Sequence, residues 1–244
     1  MASTTAKADM PVAIVTGGAR GIGEGIVRNL AADHRVLFTY KTSADRAEQL
    51  QRDETNAAAL QLDLLAPDAS SVLVKETLRR FGRLDVIVNN ASFGRATSTR
   101  ETDSAVYREM FETNVLFPID LIRAALPHLK RGASIINLSS VNAQFPPAPA
   151  GAFAATKAAL EAWSVSMAKE LGPDGIRVNC VAPGVILVDD VVRPEAIMAK
   201  VTEQTPLKTI GTINDIAKTL RFLATSQSSH ITGECIRVAG GYGR

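Results

Sequence analysis

"VAIVTGGARGIG", residues 12 to 23, is the stretch that decides the fold. Its first five residues, "VAIVT", form a run of strand length, rich in β-branched residues and without polar alternation. That is the mark of a strand buried on both faces. Gly17, Gly21 and Gly23 follow at once, and "GIVRNLAADH" then carries apolar residues at three and four spacing, as a helix does. Glycines at a sharp strand-to-helix turn permit positive φ. They also let backbone N–H groups approach a pyrophosphate at the helix N-terminus. Taken alone, the loop also reads as a tight connection with no ligand. Its place after the first strand of a long alternating series favours a dinucleotide site.

That series runs the length of the chain. After "VAIVT" come "RVLFTY" (35–40), "AALQLDL" (58–64), "LDVIVNNA" (84–91), "SIINLSS" (134–140), "IRVNCVAPG" (176–184) and "CIRVAGG" (235–241). Helix-length segments such as "AALEAWSVSMAKELG" lie between them. The alternation predicts one α/β domain: a Rossmann-like, doubly wound parallel sheet of seven strands in the order 3-2-1-4-5-6-7, with helices on both faces. The expected domain spans residues 11–244, including a substrate loop at about 186–205, after a flexible lead-in at 1–10.

The 244 residues are 46% hydrophobic and 21% charged, with net charge +2, which suits a single core of good size. The basic residues are scattered, which argues against nucleic acid as a partner. No apolar run reaches the ~20 residues of a membrane span. "MASTTAKAD" has no apolar stretch of the kind that drives secretion. Cys180 and Cys235 lack close spacing partners and a histidine cluster. A disulfide and a metal site are therefore not expected, and a reducing cytoplasm is the expected location.

Charge at the end of the second strand points to the cofactor. A chain that prefers NAD commonly ends this strand with an acid that bonds the ribose 2′-hydroxyl. Here the strand ends "FTYKTS" with no acid before Asp45. Arg20 in the glycine loop, with Lys41 and Ser43 after the strand, would favour the 2′-phosphate of NADPH; solvated surface charge is the alternative. Asp63 suits the adenine amino group, or equally a cap for the next helix.

Together these motifs resemble the short-chain dehydrogenase/reductase family, in the group that includes the 3-oxoacyl carrier-protein reductases. "TGGARGIG" is similar to its TGxxxGxG loop. "NNAS" (89–92) is similar to its NNAG with Ser92 for glycine, and "ITGECIRVAGG" to its ITGxxxxVDGG with Ala239 for aspartate. The resemblance implies NADPH contacts along Gly17, Arg20, Gly21, Ile22 and Gly23. Further contacts are implied at Tyr40, Lys41, Ser43, Asp63, Leu64, Asn90, Ala91, Lys157, Pro183, Gly184 and Ile186. Val188 stands where a threonine or serine often bonds the nicotinamide amide. The resemblance also implies a homodimer or homotetramer packed through the helix at 151–171.

In the family, a tyrosine protonates the substrate oxygen while NAD(P)H delivers hydride. A lysine lowers that tyrosine's pKa, a serine holds the oxygen, and an asparagine supports the water chain behind the lysine. Carried onto this chain the serine is Ser140, thirteen residues before position 153. Ser139 is its neighbour, expected to face the other way. The lysine is Lys157 and the asparagine Asn114. Each has a plainer alternative: a strand-end cap, a solvated helix lysine, a residue at a helix kink. The tyrosine position, four residues before Lys157, holds Phe153 in "GAFAATKAAL". Ala150, seven residues before the lysine where enoyl reductases of the superfamily carry a tyrosine, does not restore the hydroxyl. Tyr107 and Tyr242 cannot be set in the site from sequence.

General acid catalysis contributes ~10²–10⁴-fold, so the missing phenol leaves four readings. The acceptor is an iminium or conjugated enone that needs no proton on oxygen, with Asp189 and Asp190 as candidate carboxylates near the cation. Or a carbonyl is reduced with Ser140, or water held by Lys157 and Asn114, as donor. Or phenylalanine has replaced a natural tyrosine. Or the chain is a non-enzymatic NADPH-binding sensor or scaffold. "SFGRATS" (92–98), "NAQFPPAPAG" (142–151) and the loop near 186–205 are the expected pocket walls.

Overall fold

The computed structural model describes residues 9–100, 102–188, 191 and 193–243. Seven parallel strands form one sheet. They are β1 (Val12–Val15), β2 (Arg35–Tyr40), β3 (Ala57–Gln61), β4 (Val86–Asn89), β5 (Ser134–Leu138), β6 (Arg177–Pro183) and β9 (Cys235–Val238). Their order is β3-β2-β1-β4-β5-β6-β9, the expected order when only sheet strands are counted. The two intervening strands were not expected. β7 (Ile186–Leu187) and β8 (Gly211–Thr212) pair in a separate two-residue ladder that ties the end of the β6 loop to the start of the last helix.

The continuous apolar runs are explained by two cores, one on each face. Val36 and Phe38 of β2 point into the first cluster while Leu37 points into the second. Ala13 and Val15 of β1 divide from Ile14 in the same way. Successive side chains on a strand face opposite sides, so a strand covered on both faces needs apolar residues throughout. Helices α1 (Gly21–Leu30) and α8 (Ile213–Ala224) cover one face. Helices α3 (Ala69–Phe81), α5 (Phe117–Ala125) and α6 (Gly151–Leu171) cover the other. Thr212 and Asp215 form a capping box that starts α8.

Met10, assigned to the lead-in, is buried; the rest of that lead-in, apart from Asp9, lies outside the described residues. None of the described helices is long and apolar enough to cross a membrane.

Candidate functional site

The reversal of strand order between β1 and β4 opens a crevice at the carboxyl ends of the strands. A cavity of about 700 Å³ fills it. The glycine loop forms its floor. Gly17 has φ +65°, and a Cβ on Gly23 would collide with the Gly17 carbonyl oxygen, so larger residues would force the loop apart. Neighbouring strand ends hold the loop in place. Gly17 N–H donates to Thr39 Oγ1 at 3.1 Å, and Asn90 Nδ2 donates to the carbonyls of Thr16 and Gly17 at 2.8 and 3.0 Å. Asn90 is thus a staple between β1 and β4 as well as a cavity residue.

The sequence candidates converge here. Arg20, Gly21, Ile22 and Gly23 line the cavity together with Tyr40, Lys41 and Ser43. Asp63, Leu64, Asn90 and Ala91 line it from the ends of β3 and β4, and Pro183 and Gly184 from β6. Lys41 and Asp63, read separately from sequence, form an exposed ion pair at 2.8 Å. The pairing raises the lysine's pKa and lowers that of Asp63. The Ile186 side chain is not among the cavity lining and is buried in the core, where Gly211 packs on it; the expected cofactor contact there is through the backbone.

At the other end of the crevice Ser139, Ser140, Phe153 and Lys157 meet. The start of α6 carries Phe153 and Lys157 on one face, one helical turn apart. Lys157 is wholly buried and its Nζ donates to the Leu138 carbonyl at 2.7 Å. Burial drives its pKa from 10.5 down to about 8, with the nearby Cys180 thiol pulling weakly the other way. The same ammonium stands 5.5 Å from the Phe153 ring centroid, a cation–π distance. Phe153 packs against the Gly94 backbone, so close that a Cβ there would lie 3.1 Å from its ring edge.

Both serines line the cavity, but they take different partners. Ser140 Oγ accepts from Asn142 N–H at 3.1 Å and donates to no acceptor among the described residues. Ser139 Oγ donates to Glu161 Oε1 at 2.5 Å. Asn114 does not line the cavity. It sits behind it in a π-helical turn, Glu112–Leu116, between α4 (Ser104–Phe111) and α5. Such turns commonly mark functional positions. Its amide is fully engaged: it accepts from Phe93 N–H at 2.8 Å and donates to the Phe93 carbonyl and to Thr156 Oγ1 at 2.9 and 3.0 Å. Asn114 therefore anchors the wall segment that carries Ser92 and Phe93.

The expected walls are revised. Ser92, Phe93, Val188 and Val191 line the cavity, but residues 142–151 do not. Phe145 instead packs under Gly243 and 5.9 Å from the Arg237 guanidinium. Val188 leans over the glycine loop, 3.2 Å from where a Cβ on Gly21 would stand. Leu138, Glu109 and Thr113 also line the cavity, which no sequence motif marked. Tyr107 donates to the Ser98 carbonyl, Tyr242 lies at a separate small pocket, and Asp189 and Asp190 are outside the described residues. Among the described residues there is no cluster of ligands for a metal.

Comparison with known proteins agrees with this architecture. Residues 17–243 match the family model described as enoyl-(acyl carrier protein) reductase. The chain is 36% identical to an uncharacterized oxidoreductase of Methylorubrum extorquens, covering 96% of this chain and 98% of that one. It is 34% identical to a 3-oxoacyl-[acyl-carrier-protein] reductase of Staphylococcus aureus, covering 94% and 96%. A Burkholderia cenocepacia short chain dehydrogenase solved in complex with NADP superposes with TM-score 0.89, at 33% identity over 95% of this chain and 97% of that one. A blue fluorescent protein from a metagenomic library, solved with NADPH, superposes at 0.91, with 33% identity over 96% and 98%. The fold and the crevice define a Rossmann-type oxidoreductase. The chain belongs to the short-chain dehydrogenase/reductase family.

Proposed function

We propose that the cavity binds NADPH and that the chain reduces a small organic acceptor whose reaction needs no phenolic acid. One observation carries this reading: Ser140, Lys157 and the glycine loop line a single cavity in which the tyrosine position is a phenylalanine. The lining suits the cofactor. The Gly17–Gly23 contact leaves room for backbone N–H groups to approach phosphate, and Arg20 and Lys41 offer two cations for a 2′-phosphate. The relatives solved with NADP and NADPH support the same choice. Bound there, NADPH would supply hydride.

The chain's own residues set what happens to the proton. Phe153 packs but donates nothing. Lys157 would hold ribose hydroxyls with the two N–H groups that Leu138 does not occupy. Ser140, with a free hydroxyl proton, would hold the acceptor's heteroatom. An iminium carbon accepts hydride and becomes a neutral amine with no acid, and an enone gives an enolate that collects its proton from solvent. A second reading, a carbonyl acceptor, draws support from the same unused Lys157 protons, since an ammonium with pKa about 8 can serve as donor near neutral pH. Asn114 is too committed to hold the donating water with its side chain. A homodimer or homotetramer working in the cytoplasm fits the family resemblance, and Phe111 of α4, Leu116 of the π-helical turn and Val165 of α6 stand exposed.

The test follows NADPH oxidation with a quaternary cyclic iminium and with the ketone of the same ring. The first reading expects the iminium to react faster by ~10²-fold or more. A ketone that matches it selects the second reading. Turnover of neither, with NADPH bound, leaves the chain a sensor or scaffold.

A further inference from the structure

Cys180 and Cys235 showed no relation in sequence, yet the parallel register of β6 and β9 sets them directly opposite each other. In-register partners on neighbouring parallel strands project from the same face and stand about 4.7–4.9 Å apart. That separation lies inside the ~4.4–6.8 Å Cα range that a disulfide spans. The face is the one covered by α6. Both thiols are free; Cys180 is buried and Cys235 is partly open.

The surroundings make the pair asymmetric. Cys235 Sγ donates to Glu161 Oε1 at 3.2 Å, the same oxygen that takes the Ser139 hydroxyl. Ser139 lines the cavity beside Ser140, so a single carboxylate links the thiols to the cavity wall. The neighbouring Cys235 lowers the Cys180 pKa, and Ser164 and the Lys157 ammonium act in the same direction against burial and Glu161. The Cys235 pKa is pushed up by the adjacent Cys180, by burial and by Glu161. Of the two, Cys180 gives up its proton more readily.

We propose that Cys180 and Cys235 form an oxidisable dithiol site that closes to an intramolecular disulfide when a small hydroperoxide is the oxidant. The oxidant meets Cys235, the more open of the two. Glu161 Oε1, which already holds the Cys235 proton, takes it as the sulfur attacks the peroxide; the O–O bond breaks, and an alcohol (or water, from hydrogen peroxide) leaves with that proton. The product is a sulfenic acid. The Cys180 sulfur then forms the S–S bond, and hydroxide leaves as water with the second proton. Two thiols lose two electrons in all, and one peroxide bond gains them. The closed bond removes the S–H that Cys235 gives Glu161, so the carboxylate beside the cavity is left with Ser139 alone.

Hydrogen peroxide is the probe, and neither NADPH nor a substrate is required, so the result stands apart from the proposed function. Full-length protein is treated, unfolded, alkylated and weighed intact, then digested without reduction. The expected product is lighter by two hydrogens, with the Cys180 and Cys235 peptides joined and released by dithiothreitol. Cys235→Ser should abolish the cross-link and leave Cys180 alkylatable after unfolding. Cys180→Ser would alter a packed strand, so the wild type is compared with Cys235→Ser alone. Oxygen added to Cys235 with no cross-link, a disulfide between two chains, or two unreacted thiols would each overturn the proposal.

Discussion

Replacing Lys157 by methionine tests the strongest electrostatic statement that the site makes. The amine is wholly enclosed, and burial brings its pKa from 10.5 to about 8. Each pKa unit is worth about 1.4 kcal/mol of difference between protonation states, so the shift corresponds to about 3 kcal/mol. The sign follows from proton counting. Below pH 8 the lysine is charged both folded and unfolded, so its cost to stability is at full value and does not change with pH. Between 8 and 10.5 the folded chain has released the proton while the unfolded chain still holds it. Stability therefore rises with pH across that window. Urea unfolding of wild type and Lys157→Met at several pH values from about 7 to 11 isolates this contribution, because the titrations common to both cancel in the difference. The wild type should gain on the variant by about 3 kcal/mol as the window is crossed. A flat difference would mean that Lys157 is solvated in the folded protein, and a falling one that it is held by an anion.

Two further substitutions address the site and the frame that holds it. Phe153→Tyr should restore a proton donor and raise ketone reduction by ~10²–10⁴-fold while leaving reduction of a quaternary iminium nearly unchanged; steady-state rates with both acceptors decide it. Arg177 is buried and binds Ser228 Oγ and the carbonyls of Leu223 and Thr225 at 2.9–3.2 Å. Arg177→Met should strip these acceptors at the end of α8 and cost about 1–3 kcal/mol in chemical denaturation, with the slope of the transition unchanged.

What the sequence made legible was local and periodic. The bounds of β2 and α6, residues 35–40 and 151–171, follow from continuous apolar runs and helical spacing and agree with the structure. The cavity at β1 and β4 follows from strand order and the glycine loop. What stayed hidden depended on register and on side-chain partners far away in the chain. The facing of Cys180 and Cys235 exists only once β6 and β9 are aligned. The Lys41–Asp63 pair needs the ends of β2 and β3 side by side. The "FPPAPAG" segment was expected to wall the pocket. Phe145 finds its contacts instead at Arg237 and Gly243, residues nearly a hundred positions on. Ile186 follows the proline–glycine turn as expected, but its short ladder with Gly211 turns the side chain into the core.

The most direct measurement is a fluorescence titration of the purified protein with NADPH and with NADH, repeated for Arg20→Ala. Arg20 is exposed at the mouth of the glycine loop, where a charge-assisted bond to a phosphate is worth ~1.5–3 kcal/mol. Saturable binding is predicted, with NADPH tighter than NADH by ~10-fold or more and the preference lost in Arg20→Ala. Absence of binding by either nucleotide, or a preference for NADH untouched by the substitution, would contradict the assignment of this cavity to NADPH.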